Sequence, residues 1–167
     1  PGKSVLRELG KVMPFYDKSI DVVIATHPDL DHIGGLVDVF ENYEVGLFLE
    51  PGVESETDSY KALKSSVEKE GVKIIEARRG MVLDLGRGAK LEILFPIFDP
   101  SDLLTNTASI VARLVYGESE FLLTGDSPKE IESYIITLSD IESDVLKAGH
   151  HGSKTSTHSD FVKMVSP

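Results

Sequence analysis

Residues 26–35 have the sequence Thr-His-Pro-Asp-Leu-Asp-His-Ile-Gly-Gly, which holds two imidazoles and two carboxylates within six positions. The apolar, β-branched segment 20–25 before it predicts a buried strand, so these side chains lie where that strand ends. Such a loop can turn all four toward one point, and clustered histidines and aspartates are typical of metal sites. The alternative is a solvated loop in which a carboxylate caps the helix predicted over 33–43. The potential ligands are His27, Asp29, Asp31 and His32.

Two further strand ends carry potential ligands. Residues 147–154, Lys-Ala-Gly-His-His-Gly-Ser-Lys, follow a short predicted strand and contain His150 and His151. Taken alone, this histidine pair fits a surface turn equally well. Asp126 follows the strand predicted over 121–124 and precedes a helix, where capping is its alternative role. Three strand ends with potential ligands predict one shared site along the edge of a sheet sandwich.

The composition predicts an acidic globular protein. The 167 residues suffice for one domain with a sizeable core, and 41% apolar against 27% charged residues exclude a disordered chain. No apolar run approaches the ~20 residues of a membrane span. The absence of cysteine excludes disulfides, thiolate ligands and a cysteine nucleophile. With 28 acidic and 17 basic residues the net charge is −11, so nucleic acid would need local help such as bound cations.

The hydrophobic periodicity alternates between helical and strand spacing, which predicts an α/β arrangement. Ser127 is predicted to cap the helix after Asp126, with Pro128 at its first position and Glu130 completing a capping box. The element order fits two mixed sheets packed together with helices outside. Helices are predicted over 5–13, 33–43, 60–70, 128–138 and 159–165, and strands over 20–25, 45–49, 72–75, 81–85, 91–95, 110–116, 121–124 and 144–147.

The three strand-end motifs resemble those of the metallo-β-lactamase superfamily, an αββα fold of metal-dependent hydrolases. The common superfamily loop is Thr-His-x-His-x-Asp-His, in which Asp29 here replaces the second histidine. With Leu-Leu-Thr-Gly-Asp at 122–126 and Leu-Lys-x-x-His-His-Gly-Ser at 146–153, the chain looks most like the C-terminal hydrolase domain of the competence protein ComEC and its stand-alone relatives. Residues 106–114 resemble their Asn-x-x-Ser-x-Val strand. The resemblance implies a four-layer αββα sandwich of the mixed α/β (α+β) class.

The resemblance also implies two divalent metal ions, zinc or manganese, with a single bound ion as the alternative. The superfamily usually supplies another histidine from mid-chain, but none lies between His32 and His150, which leaves Asn106, Ser109 or water as substitutes. The implied ligands are His27 and Asp29 for one ion, Asp31, His32 and His150 for the other, and Asp126 as a bridge.

The implied activity is hydrolysis of a phosphodiester, with DNA as the leading substrate and a nuclease linked to DNA uptake as the leading function. The metals would lower the pKa of a water and yield hydroxide. Asp31 and His151 are the predicted catalytic residues. His150 is the preferred ligand of the histidine pair, with the reverse choice open, and His151 would protonate the leaving oxygen or only support the metal ligands. Ser153, Lys154 and Asn106 are the predicted substrate-binding residues. The alternatives are a non-catalytic metal-binding module of a DNA-uptake assembly, a hydrolase of another ester, and an α/β domain that binds no metal.

The resemblance predicts that residues 1–167 form a single domain, truncated at both ends and taken from the interior of a longer one. Pro1 would lie just past an Asp-Gly-Gly turn, and further strands would follow Pro167. Sheet edges left exposed would be covered by a parent membrane protein or by self-association. The compartment stays open, because stand-alone relatives would be soluble and cytoplasmic whereas the ComEC-attached domain would face away from the cytoplasm.

Overall fold

Two sheets organise the computed structural model, which describes residues 2–138 and 140–167, residues 2–4 by their backbone alone. Pro1, predicted to begin a truncated domain, lies outside the described residues. The first sheet is parallel, with strands β1 (Ser19–Ile24), β2 (Glu44–Glu50) and β3 (Lys73–Glu76) in that order. The second sheet also follows chain order, and its last pair is parallel whereas the others are antiparallel. It contains β4 (Val82–Gly86), β5 (Ala89–Phe95), β6 (Val111–Tyr116), β7 (Ser119–Leu123) and β8 (Val145–Lys147).

Helices lie outside both sheets. The first sheet is covered by α1 (Gly2–Val12), α2 (Leu30–Ile33), α3 (Leu36–Asn42) and α4 (Asp58–Lys69). The second is covered by α5 (Lys129–Ile135) and α6 (Ser159–Val165). No helix in the described ranges combines the length and the apolar character that crossing a membrane demands.

Three apolar clusters separate the layers. Val23, Phe48 and Leu63 are among the residues buried between the first sheet and its helices. The neighbours of Val23 in β1, Val22 and Ile24, point to the opposite face and pack between the two sheets, as the two-residue period of a strand requires. A third cluster lies between the second sheet and its helices, and includes Phe95, Leu122 and Phe161. The predicted four-layer αββα sandwich is thereby confirmed.

The helix predicted over 33–43 is wrong in its extent. The structure has two shorter helices here, α2 and α3, separated by Gly34 and Gly35. Glycine loses the most conformational freedom in a helix, and two together favour an interruption. The helix α2 begins at Leu30, before the predicted start, so Asp31 and His32 lie on a single helical turn directly after the loop.

The predicted capping of the helix after Asp126 is also wrong. The N-cap position of α5 is occupied by Pro128, and no side chain makes a cap hydrogen bond there. Ser127 is fully buried, and its Oγ has no hydrogen-bond partner in the described part of the chain. Ser156 Oγ instead donates a 2.8 Å hydrogen bond to the Ser127 carbonyl, which holds the segment against the loop after β8.

Candidate metal centre

The carboxyl ends of β1, β7 and β8 meet at one edge of the sandwich. The Ile110 N–H donates a 2.9 Å hydrogen bond to the Thr26 carbonyl, which ties the loop after β1 to the second sheet. Strands β7 and β8 are parallel neighbours, and the His150 N–H donates to the Gly125 carbonyl at 3.2 Å. The structure therefore brings together the three loops that carry the predicted ligands.

Four side chains form a close group at this edge: Asp31, His32, Asp126 and His151 each place one potential ligand atom within 4.8 Å of the others. His151 Nε2 lies 3.0 Å from Asp31 Oδ2 and 3.2 Å from His32 Nε2. His32 Nε2 lies 3.3 Å from Asp126 Oδ1. Two ligands each ~2.1 Å from one ion are about 3.4 Å apart in a tetrahedral site. These distances therefore have the spacing that one divalent cation requires.

Asp126 lies at the centre of the site. Its side chain is 3% exposed, and its Oδ1 has no hydrogen-bond partner among the described residues. Its Oδ2 faces three imidazoles, with Nε2 of His151 at 3.7 Å, of His150 at 3.8 Å and of His27 at 4.0 Å. The Asp126 N–H donates to Ser109 Oγ at 3.2 Å, which fixes the backbone behind the carboxylate. Both oxygens are thus directed at imidazoles, and the bridging role of Asp126 stays a prediction.

His27 is fully buried beside Asp126. Its pKa is lowered to about 4, first by burial and then by neighbouring His32, which together outweigh the nearby carboxylates. His27 is therefore neutral at pH 7, the form that binds a metal. Thr26 Oγ1 lies 3.1 Å from His27 Nδ1, while within the described residues His27 Nε2 has no hydrogen-bond partner and lies 3.8 Å from Asp29 Oδ2.

The unpartnered atoms test whether the residues fit a cation. An unsatisfied buried polar atom costs about 1–3 kcal/mol, and the described site contains two such atoms, His27 Nε2 and Asp126 Oδ1. A divalent cation between them and their neighbours would satisfy both. The donors are nitrogen and oxygen without thiolate, which suits zinc and, given the carboxylates, manganese. The residues therefore fit a divalent cation.

The two loop aspartates are not used for capping. Asp29 occupies the N-cap position of α2, but its side chain makes no cap hydrogen bond. Asp31 has a pKa below its usual value: partial burial acts to raise it, but hydrogen bonds from its own backbone N–H and from His151 outweigh that effect. Asp31 is thus held ionised and directed at His151, so the helix-capping alternative does not describe this loop.

The loop after β8 is firmly attached to the rest of the site. His150 and His151 both have left-handed backbones, with φ of +48° and +52°. Such angles cost about 1–2 kcal/mol for each residue other than glycine, so surrounding contacts must maintain them. Buried Glu132 accepts hydrogen bonds from the backbone N–H groups of Thr157 at 2.7 Å and His158 at 3.1 Å. These bonds anchor the far end of the loop to α5.

A cleft of about 550 Å³ opens beside the metal group. Asn106, predicted to bind substrate, lines it together with Asp126, His150 and Thr155. The other two predicted substrate-binding residues, Ser153 and Lys154, lie on the loop after β8. Ser153 Oγ is 3.0 Å from Thr155 Oγ1, and Lys154 is exposed.

Sequence reasoning missed three supporting residues. Thr26 Oγ1 contacts Nδ1 of both His27 and His32, at 3.1 and 3.4 Å. Thr155 Oγ1 lies 3.1 Å from His150 Nδ1, and Glu132 fastens the same loop. Hydroxyl residues beside each histidine cluster were a usable signal. Glu132 also carried a signal, because it lies three residues before Ile135 and therefore on the same, buried face of α5, where a carboxylate needs hydrogen-bond partners.

Comparison with known proteins identifies the family. Residues 16–167 match the sequence profile of the metallo-beta-lactamase superfamily. The chain belongs to this superfamily. The predicted resemblance is thereby confirmed, and with it membership in a family of metal-dependent hydrolases.

Relatives and a solved structure agree with that assignment. ComE operon protein 3 of Bacillus subtilis (strain 168) is 37% identical over 152 residues, 90% of this chain and 19% of that protein. Competence protein ComA of Neisseria gonorrhoeae is 26% identical over the same shares of the two chains. The chain thus spans about a fifth of the length of these two relatives. The crystal structure of CmlA, a diiron beta-hydroxylase from Streptomyces venezuelae, has a TM-score of 0.52 at 18% identity, over 82% of this chain and 26% of CmlA, which shows the shared fold.

Proposed function

We propose that this chain is a metal-dependent phosphodiesterase of the ComEC type, with DNA as its substrate. The observation that carries the proposal is the buried carboxylate of Asp126, which is directed at imidazoles from two separate loops and whose Oδ1 has no hydrogen-bond partner among the described residues. A relative whose name describes a competence protein supports DNA as the substrate. Under this proposal residues 1–167 act as one domain of a longer membrane-associated protein, in a compartment that the fold leaves open.

The chain's own residues would divide the work as follows. Asp31, His32, Asp126 and His151 would hold one cation, and His27 and Asp29 would lie toward a second. Bound divalent cations would lower the pKa of a coordinated water and neutralise charge on a phosphoryl group. Three carboxylates in the site suit an oxygen-rich substrate that arrives with cations.

The predicted role of His151 changes under this proposal. Its Nε2 lies 3.0 Å from Asp31 and 3.7 Å from Asp126, inside the group of potential ligands. A ring in that position is engaged as a ligand and is a poor donor to a leaving oxygen. We assign metal binding to His151 together with Asp31. Asn106 contacts substrate in the cleft, and Ser153 and Lys154, on the loop after β8, contact phosphate.

The net charge of −11 limits how DNA reaches the site. Phosphate contacts require clustered positive charge, which this chain supplies only through bound cations and a few lysines. We therefore expect weak affinity of the chain alone for DNA, and turnover that depends strongly on metal loading.

The test compares metal-loaded wild type with two aspartate variants. Chelated protein is reloaded with zinc or manganese and incubated with single-stranded and double-stranded oligonucleotides, with nitrocefin as a β-lactam comparison. Asp126→Asn should lose bound metal and reduce phosphodiester cleavage at least ~100-fold, as removal of central catalytic groups does. Asp160→Asn, at an exposed residue paired with Lys163 on α6, is the matched control and should leave both unchanged. Full cleavage by Asp126→Asn, or metal binding by wild type without cleavage of any phosphodiester, would refute the proposal.

A further inference from the structure

We propose that the cleft beside the metal group binds an unpaired nucleobase, and that Leu104 is the residue that selects single-stranded over double-stranded DNA. The inference rests on the proposed function and deepens it, because it names the form of DNA that the site accepts. It concerns contacts to the base and leaves the assignment of the metal ligands unchanged.

The cleft has an apolar wall that continues into the metal group. Its volume of about 550 Å³ lies within the roughly 300–1,000 Å³ of small-molecule sites and suffices for one nucleoside. The apolar lining is formed by Leu103, Leu104 and Pro128, and the same cleft is lined by Asp126 and His150. A base that lies against this wall therefore places its own phosphate next to the potential metal ligands.

Leu104 is exposed although its neighbour is packed. Its side chain is 81% exposed, whereas Leu103 packs against the apolar cluster of the second sheet. A single exposed leucine on an open surface requires no explanation. Here it adjoins an apolar cleft that reaches the buried carboxylate of Asp126. Enzymes that act on nucleic acids stack an extruded base against aromatic or apolar side chains, and Leu104 has the exposure and the position of such a platform.

The wall is held in place by the protein itself. The N–H of fully buried Ala108 donates a 3.0 Å hydrogen bond to the Leu104 carbonyl. The next residue, Ser109, accepts a hydrogen bond on its Oγ from the Asp126 N–H at 3.2 Å. Leu103 anchors the other side of the segment in the apolar cluster. Leu104 is thus tied to the backbone of Asp126, and a preformed contact surface needs little ordering when a base binds.

A base can reach this wall only when it is unpaired. Within a duplex its faces are stacked and its polar edge is paired, so Leu104 and Asn106 can contact it only after it leaves the helix. Asn106 lines the same cleft, and its Oδ1 makes no hydrogen bond among the described residues. The net charge of −11 adds to the preference, because a chain with few phosphate contacts depends more on contacts to bases.

The test removes the base and the leucine in turn. The substrates are an end-labelled single-stranded oligonucleotide, a strand of the same length built from tetrahydrofuran abasic nucleotides, and the duplex. The proteins, chelated and reloaded with zinc or manganese, are wild type, Leu104→Ala and Leu104→Trp, the last offering a larger stacking surface. Leu85→Ala, at a 47% exposed leucine on the opposite edge strand β4, is the matched control. Elemental analysis and circular dichroism verify that metal content and folding are retained.

We expect wild type to cleave the base-containing single strand with a kcat/KM at least about 10-fold above that of the abasic strand or the duplex. Leu104→Ala should lower cleavage of the base-containing strand about 5–10-fold, as loss of a partly covered leucine does, with at most about a 2-fold effect on the abasic strand. Leu104→Trp should match or exceed wild type on the base-containing strand. Leu85→Ala should match wild type on all three substrates.

The abasic strand separates the two proposals. Equal cleavage of the base-containing and abasic strands by wild type, equal losses on both strands in Leu104→Ala, or faster cleavage of the duplex would overturn the role of the cleft and leave the proposed function standing. If wild type cleaves none of the three substrates, the proposed function itself is refuted and the inference falls with it.

Discussion

The substitution Gly125→Ala isolates the packing that positions Asp126. Gly125 has φ of +54°, and a Cβ there would lie 3.1 Å from Ser109 Cβ and 3.2 Å from Thr26 Cβ. Both neighbours support the metal group, Ser109 through the Asp126 N–H and Thr26 through two histidines. The small residue therefore permits the close approach of β1 and β7 at the site.

The expected effect has two parts. An alanine in the left-handed region costs about 1 kcal/mol net of its effect on the unfolded chain. Crowding against two Cβ atoms that must each move adds about 1–3 kcal/mol, the range for overpacked sites. We therefore expect the free energy of unfolding of the metal-free protein to fall by about 2–4 kcal/mol.

Gly117→Ala provides the matched control. Gly117 has φ of +62° in the turn between β6 and β7, and an added Cβ would meet no atom within 4 Å. Only the backbone cost of about 1 kcal/mol applies there. Urea unfolding in the presence of a chelator gives both values without a contribution from bound metal. Equal losses for the two variants would refute the crowding argument, and Gly125→Ala with unchanged metal affinity would refute its link to the site.

Four further predictions concern the ligand-supporting hydroxyl, the loop anchor, the apolar core and bound zinc. Thr26→Val removes the hydroxyl shared by His27 and His32 and should weaken zinc binding about 10–100-fold in a competition titration, while unchanged affinity would show that the hydroxyl does not orient the rings. Glu132→Gln replaces one of two acceptors by a donor facing a backbone N–H and should lower the free energy of unfolding by about 1–3 kcal/mol, so a neutral result would contradict its anchoring role. Leu63→Ala, at a fully buried position on the inner face of α4, should cost about 2–5 kcal/mol in urea unfolding, against about 0.5 kcal/mol or less for Leu104→Ala at an 81% exposed position. Zinc at about 100 times its dissociation constant should raise the free energy of unfolding by about 2.7 kcal/mol for each ion bound, and no shift in the unfolding midpoint would contradict metal binding by the folded chain.

The sequence predicts the architecture well because hydrophobic periodicity is local. All eight predicted strands end within two residues of the observed ones, and α6 is predicted at its observed bounds. The errors concern helices, and the helix predicted over 128–138 also ends three residues early, at Ile135. Gly34 and Gly35 divide the helix predicted over 33–43, and Ser127, predicted as a cap, is buried with its Oγ unpartnered among the described residues. Both outcomes depend on tertiary contacts, which a single-sequence pattern does not contain.

The site is predictable as a set of residues and not as a geometry. Chemical type and position after strands identify Asp126 and the two histidine clusters as residues that meet. The directions of His150 and His151 depend on two left-handed backbones, an unusual conformation for histidine that no propensity indicates. Thr155 Oγ1 contacts Nδ1 of His150, five residues earlier, and Glu132 accepts hydrogen bonds from the backbone N–H groups of Thr157 and His158 at the far end of the same loop.

The features that lower the stability of this edge all have the same physical origin. Among the described residues, His27 Nε2 and Asp126 Oδ1 are buried without a hydrogen-bond partner, as are Asn106 Oδ1 and Ser127 Oγ nearby. Two histidines adopt left-handed backbones, and a neutral imidazole is desolvated beside three carboxylates. Each is unfavourable in a protein selected for stability alone, because buried polar groups are ordinarily satisfied. All of these features lie at the strand ends that carry the potential ligands. Their concentration at one edge is expected where binding of a ligand, and not folding, determines the arrangement of side chains. A divalent cation is the ligand whose charge and coordination would relieve the unpartnered atoms and the excess negative charge together.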